Sequence, residues 1–162
     1  MKKIKLSSTI YEYDSIEEID KADKELLLQA KKACLSAYAP YSKYYVGAAT
    51  ILENGKIFTG NNQENIATPS GMCAERVAVF SASSHYPETP IKAIAITSKA
   101  KDFIVDTPVT PCGACRQVLA EYETKFNSNI KLILMGETGK ILIINSIKDI
   151  LPLMFHADKL KK

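Results

Sequence analysis

The chain has 162 residues, 46% of them hydrophobic and 24% charged, the composition of a single globular domain large enough to bury a core. The formal net charge is +3, with lysines dispersed apart from short clusters at the two ends, so bulk charge gives no argument for a nucleic-acid or membrane partner. No apolar run approaches the ~18 residues of a membrane span, and "MKKIKLSSTI" lacks the continuous apolar stretch of a secretory signal; a cytoplasmic protein with reduced thiols is expected.

The first twenty residues form a polar extension in which "KIKLSSTIYEY" alternates weakly and suits an edge strand. A domain is expected over 21–162. Asp20 is a natural N-cap for a helix in which Leu26, Leu27, Ala30, Ala33, Cys34 and Ala37 recur at helical spacing, with Pro40 ending it. Cys34 lies on that apolar stripe and is read as a packing residue. "VGAATILENGKIFTG" reads as two strands about the Asn54-Gly55 turn. A polar loop over 61–70 leads to a helix in "GMCAERVAVFSAS", starting near Gly71. "IKAIAITS" is a buried strand, and a second loop over 99–111 leads to a helix in "CGACRQVLAEYETKF". "IKLILMGETGKILIINS" supplies two more strands, and "IKDILPLMF" a short terminal helix broken at Pro152. Strands interleaved with helices predict an α/β fold: a three-layer α/β/α sandwich with a five-stranded mixed sheet.

Four cysteines stand at 34, 73, 112 and 115, and both arginines of the chain, Arg76 and Arg116, lie beside three of them. Cys73 and the Cys112/Cys115 pair fall at predicted helix starts, where unpaired N–H groups and the helix dipole favour thiolate over thiol. Three thiolates suit Zn²⁺ and leave one tetrahedral position open. Glu75, two residues past Cys73, is a carboxylate placed to shuttle protons for a water at that position. Three thiolates also load the metal with surplus negative charge, which a donor such as Arg76 would withdraw, with Arg116 as a second candidate. C-x-x-C alone also suits a redox pair. A purely structural zinc site would need a fourth ligand from Cys34, His85 or His156, none of which has motif spacing.

"CAER", followed 39 positions after its cysteine by the first cysteine of "PCGACRQ", resembles the zinc-dependent cytidine deaminases, in particular the small homotetrameric type with three cysteine ligands. "AYAPYSKYYVGAA", "GNNQENIATPSGMCAERVAVF", "AIAITS", "TPCGACRQVLAEY" and "ILPLMF" fall in the family's order, so the resemblance spans about 22–160. It implies the following roles. Cys73, Cys112 and Cys115 hold one Zn²⁺ per subunit, and Glu75 is the proton shuttle. Asn62 and Glu64 hydrogen-bond the ribose 3′-hydroxyl, and Tyr44 packs on the pyrimidine where the family usually has phenylalanine. The N–H of Ala74 binds the base carbonyl, and groups around Thr110 and Cys112 hold the reacting centre. Phe155 reaches the pocket of a neighbouring subunit in a homotetramer.

The activity so implied is hydrolytic deamination of free cytidine and 2′-deoxycytidine in pyrimidine salvage. Another aminopyrimidine nucleoside, such as a nucleoside antibiotic, is the alternative substrate, and a non-catalytic zinc-binding relative the alternative role. No arginine near 61–70 is available to grip a phosphate, and no basic stripe with interleaved aromatics marks a nucleic-acid groove. Two departures stand out: Thr68 replaces an aromatic common in the family, and the Tyr44 hydroxyl needs a partner.

Overall fold

The computed structural model describes residues 1–156. A mixed six-stranded sheet in the order β1-β6-β5-β4-β2-β3 forms the middle layer. Its strands are β1 (Tyr11–Tyr13), β2 (Tyr44–Leu52), β3 (Ile57–Asn61), β4 (Ile91–Ala100), β5 (Lys131–Met135) and β6 (Ile141–Ile144). One face is covered by α1 (Lys21–Cys34), the other by α2 (Ala74–His85) and α3 (Gly113–Phe126). The three-layer sandwich is as expected, with six strands rather than five. The sixth is β1, from the polar extension, which pairs antiparallel with β6 and satisfies its outer backbone groups.

Alternation along the strands sorts the core into two clusters. Ala49, Ala93, Ala95 and Ile133 pack under α1 against Leu26, Leu27 and Ala30. Ala48, Ile94, Ile96, Leu132 and Leu134 pack under α2 and α3 against Ala78, Val79 and Leu119. Each fully buried Leu or Ile contributes roughly 1.5–3 kcal/mol. Small residues let the helices approach: a Cβ on Gly47 would stand 2.1 Å from the Ala30 carbonyl oxygen of α1, and one on Gly60 2.5 Å from that of Ala74 in α2.

Three boundaries differ from the sequence reading. α1 stops at Cys34, well before Pro40, because the chain tightens there into bonds from Leu35 N to Lys32 O and Ser36 N to Ala33 O, and Asn61 Nδ2 also donates to Ala33 O. α2 starts at Ala74 rather than near Gly71: residues 68–70 form a separate 3₁₀ turn, and Met72 is extended, exchanging both backbone bonds with Gln63. The terminal helix is only a 3₁₀ turn at Ile147–Asp149, capped by Ser146 Oγ, and the chain beyond it runs irregularly through Pro152. Buried Glu123 on α3 anchors that turn, accepting from Ile130 N, Ile147 N and Ser146 Oγ at 2.8–2.9 Å.

Strand directions place the site. β3 and β4 are each antiparallel to β2, so they point the same way, and β5 is parallel to β4. α2 follows β3 and α3 follows β4 as crossover helices, so both begin at the same end of the sheet, where α/β folds collect ligands.

Candidate active site

Cys73 and Cys112 occupy the same structural position, each the extended N-cap residue of its helix, α2 and α3. Cys115 sits one turn into α3. Convergence of the two helix starts brings the three Sγ atoms within 4.8 Å of one another, with Cys112 and Cys115 3.6 Å apart. Tetrahedral Zn–S bonds of ~2.3 Å place sulfurs about 3.8 Å apart, so the donor set fits Zn²⁺ by type and by spacing. Arg76 Nη2 donates to Cys73 Sγ at 3.5 Å. In the chain alone, a hydrogen bond from Cys115 first, and then Arg76, hold the Cys73 thiol below its ordinary range; the Cys115 thiol, bonded to Cys73 and buried, is pushed up.

Among the described residues no fourth ligand joins the three cysteines to close a structural site. Cys34 is buried in α1 with its thiol donating to Tyr45 O at 3.1 Å. His85 closes the far end of α2, about 18 Å from Cys73 at 1.5 Å rise per residue, and bonds Ser81 O. The three cysteines are the metal-ligating group found among the described residues.

Glu75, in the first turn of α2, is 6% exposed and lies against Cys73 and Cys115. Burial pushes its carboxyl above the usual carboxylate range, which suits a group that must both accept and return a proton. Ala74 beside it is fully buried. The Gln63–Met72 pairing holds the 62–64 loop against the residue that precedes Cys73. In that loop Asn62 Nδ2 donates to Tyr44 O at 3.0 Å and its Oδ1 accepts from Val46 N at 2.8 Å. Glu64 accepts from Tyr41 N, Ser42 N and the Ser42 hydroxyl. Both side chains therefore hold the start of β2 in place. Glu64 also lines a groove of about 380 Å³ with Tyr41, Ser42, Asn65, Ile66 and Thr68.

Tyr44 is half-buried, its ring centroid 6.5 Å from that of Phe103, and its hydroxyl oxygen accepts from Ser98 Oγ at 2.7 Å. Arg116 turns away from the sulfurs: its guanidinium donates to Pro111 O, Ile150 O and Thr110 Oγ1. Thr110 is exposed just ahead of Cys112. Phe155 stands on the surface, 74% exposed, with its main chain held by the Gln117 amide. Sequence reasoning missed Ser98 and Gln117; for Ser98 the available signal was a polar Thr97-Ser98 pair ending an apolar strand.

Three thiols converging beside a buried carboxylate would hold Zn²⁺ with a position to spare for water, the donor set of a zinc-dependent hydrolytic centre. The profile of the cytidine and deoxycytidylate deaminase zinc-binding region matches residues 20–127. A cytidine deaminase of Halalkalibacterium halodurans is 37% identical over 137 residues, 84% of this chain and 96% of its own. One of Sporosarcina psychrophila is 46% identical over 99 residues, 61% of this chain and 68% of its own. The crystal structure of cytidine deaminase from Burkholderia pseudomallei matches with a TM-score of 0.70 at 38% identity, covering 81% of this chain and 97% of that one. The chain belongs to the zinc-dependent cytidine deaminase family.

Proposed function

We propose that the protein deaminates free cytidine and 2′-deoxycytidine to uridine and 2′-deoxyuridine, releasing ammonia. The observation that carries this reading is the buried Glu75 carboxyl set against three convergent thiols at two helix N-termini. Zinc held by Cys73, Cys112 and Cys115 supplies a Lewis acid that makes water nucleophilic near neutral pH.

Glu75 takes the proton that the attacking water gives up as its oxygen bonds to C4, and passes it to N3. It then moves the second water proton to the exocyclic amine; the C4–N bond breaks, and ammonia leaves with the carbonyl formed. The Ala74 N–H, at the first position of α2, has no intrahelical partner to take it and is suited to the base carbonyl O2. Groups at Thr110 and the Cys112 N–H steady the reacting centre, and Arg76 offsets thiolate charge. The Tyr44 ring packs on the base. Asn62 and Glu64 bind the ribose 3′-hydroxyl with hydrogen-bonding capacity beyond what the β2 turn takes up.

The reading includes a homotetramer in which Phe155 completes a neighbour's pocket, since an exposed phenylalanine on a fixed main chain is suited to insertion. It also includes residues 1–20 as an extension to a catalytic domain over 21–162, whose last six residues lie outside those described. No helix among the described residues is long and apolar enough to cross a membrane, and the reading places the enzyme in cytoplasmic pyrimidine salvage.

The test is an ultraviolet assay of the purified protein on cytidine, 2′-deoxycytidine, cytidine monophosphate, and aminopyrimidine nucleosides of the antibiotic type. Turnover of the first two and not the monophosphate is expected. Turnover confined to an antibiotic nucleoside would replace the substrate assignment.

A further inference from the structure

The two residues that follow the ligand Cys115 both reach the C-terminal tail. Arg116 uses each guanidinium nitrogen on a different acceptor: Nε to Pro111 O at 2.8 Å, Nη1 to Ile150 O at 2.9 Å and Nη2 to Thr110 Oγ1 at 3.3 Å. Its backbone N–H also donates to Cys112 O at 2.9 Å. Gln117 grips the tail farther along, donating to Phe155 O at 2.8 Å and accepting from Phe155 N at 3.2 Å. Between these points Leu151 and Met154 pack half-buried on the α2/α3 side of the core.

We propose that Arg116, assisted by Gln117, is a positioning residue for the zinc ligand Cys112: it latches the loop presenting that thiolate to the seated tail, so that zinc retention depends on the tail. The physical reason is that Cys112 is the N-cap residue, with no side-chain cap bond, at the end of an irregular loop. Such a loop keeps one conformation only if something outside it takes up its free carbonyls. Arg116 does this for the Pro111 carbonyl and also binds the Thr110 hydroxyl, with a planar fork that a lysine cannot copy. It fixes a ligand's direction rather than its charge, which separates it from Arg76. Groups that orient ligands in this way control metal affinity as strongly as many direct contacts.

The proposal rests on Cys73, Cys112 and Cys115 as zinc ligands, so the zinc content of the wild-type chain is measured first; a chain without zinc defeats both, whereas a zinc-loaded chain whose Arg116 variants behave as wild type defeats the latch alone. Zinc release to a colorimetric chelator and the visible spectrum of the Co²⁺-substituted protein are then compared across variants. Arg116→Ala is expected to speed release on the order of ten- to a hundred-fold and to shift the Co²⁺ bands. Arg116→Lys is expected to do so partially, and it carries the test if the alanine variant does not fold. Gln117→Ala, with the Ile150 tie intact, should accelerate release less than Arg116→Ala. Leu26→Ala in α1, buried on the opposite face of the sheet, controls for general destabilisation: it should lower the melting temperature without moving the Co²⁺ bands. Wild-type release and spectrum in both Arg116 variants would overturn the latch, and so would an equal spectral shift in Leu26→Ala.

Discussion

Ser98 at the end of β4 donates its hydroxyl to the phenolic oxygen of Tyr44 at the start of β2, across 2.7 Å and 54 residues of sequence. Ser98 is 1% exposed, so its hydroxyl has no ready access to water. This bond holds the Tyr44 hydroxyl aside while the ring lies tilted beside that of Phe103, the centroids 6.5 Å apart. Removing the acceptor alone, in Tyr44→Phe, strands a buried donor and should cost about 1 kcal/mol in denaturant unfolding. Tyr44→Phe with Ser98→Ala should recover part of that loss, a coupling that a double-mutant cycle reads directly. Catalysis should follow the ring instead: Tyr44→Phe near wild type, Tyr44→Ala with KM raised roughly tenfold. A Tyr44→Phe enzyme as impaired as Tyr44→Ala would give the hydroxyl a role in binding.

Glu75→Gln keeps the shape of the buried side chain and removes its proton chemistry. The expected result is a fall in kcat on the order of 10²–10⁴ with zinc still at one per chain by metal analysis. Retained turnover in a zinc-loaded Glu75→Gln enzyme would refute the shuttle. Loss of zinc together with activity would make Glu75 a ligand instead.

The zinc motif is legible in the sequence because its chemistry is local. Each helix start carries its own cysteine, and N-cap geometry is written in a few neighbouring residues. The fold is legible for the same reason, since apolar alternation and the Asn54-Gly55 turn mark strands without reference to anything distant. What escapes are bonds between parts of the chain far apart in sequence. Arg116 reads as a donor to sulfur because it follows Cys115, yet its partner Ile150 is 34 residues away. Glu123 looks like one more polar helix residue until the folded chain brings Ile130, Ser146 and Ile147 to its carboxylate. The start of α2 falls later than the sequence suggests because Gly71 reads as a helix opener, whereas in the fold it closes the 3₁₀ turn at Thr68–Ser70.

Glu64 offers a test by pH. The Ser42 hydroxyl first, with the Tyr41 and Ser42 N–H groups, holds its carboxyl below the ordinary glutamate range. A carboxyl depressed in the folded state contributes to the 41–42 turn fully above its unfolded value of ~4.3. That contribution is lost as pH falls through the lower folded value. At neutral pH the carboxylate is therefore ionised and its bonds are intact. A ¹³C NMR titration should place the Glu64 midpoint below the ordinary glutamate value of ~4.3, and Ser42→Ala should move it upward. A midpoint at or above that ordinary value, unmoved by Ser42→Ala, would contradict this account. If Glu64 binds ribose as proposed, Glu64→Gln should raise KM for nucleosides across the neutral range with little change in kcat, since that role is in binding and not in proton transfer.

Thiol chemistry separates the four cysteines. Cys34 is 3% exposed, burial pushes its thiol up, and its hydrogen goes to Tyr45 O, so it should stay unreactive in the folded protein with or without metal. Zinc ties up the other three as thiolates, and removing it frees them. Cys112 is exposed and Cys73 half-exposed, whereas Cys115 is buried with its thiol pushed up. A chromogenic disulfide reagent should therefore find no fast thiol in the zinc-loaded protein. Once zinc is chelated, it should find Cys73 and Cys112 fast and Cys115 slow, and Cys34 only after unfolding. Mass mapping of the labelled peptides gives the order, and fast labelling of Cys34 in the folded protein would show that the α1 face is looser than its packing implies.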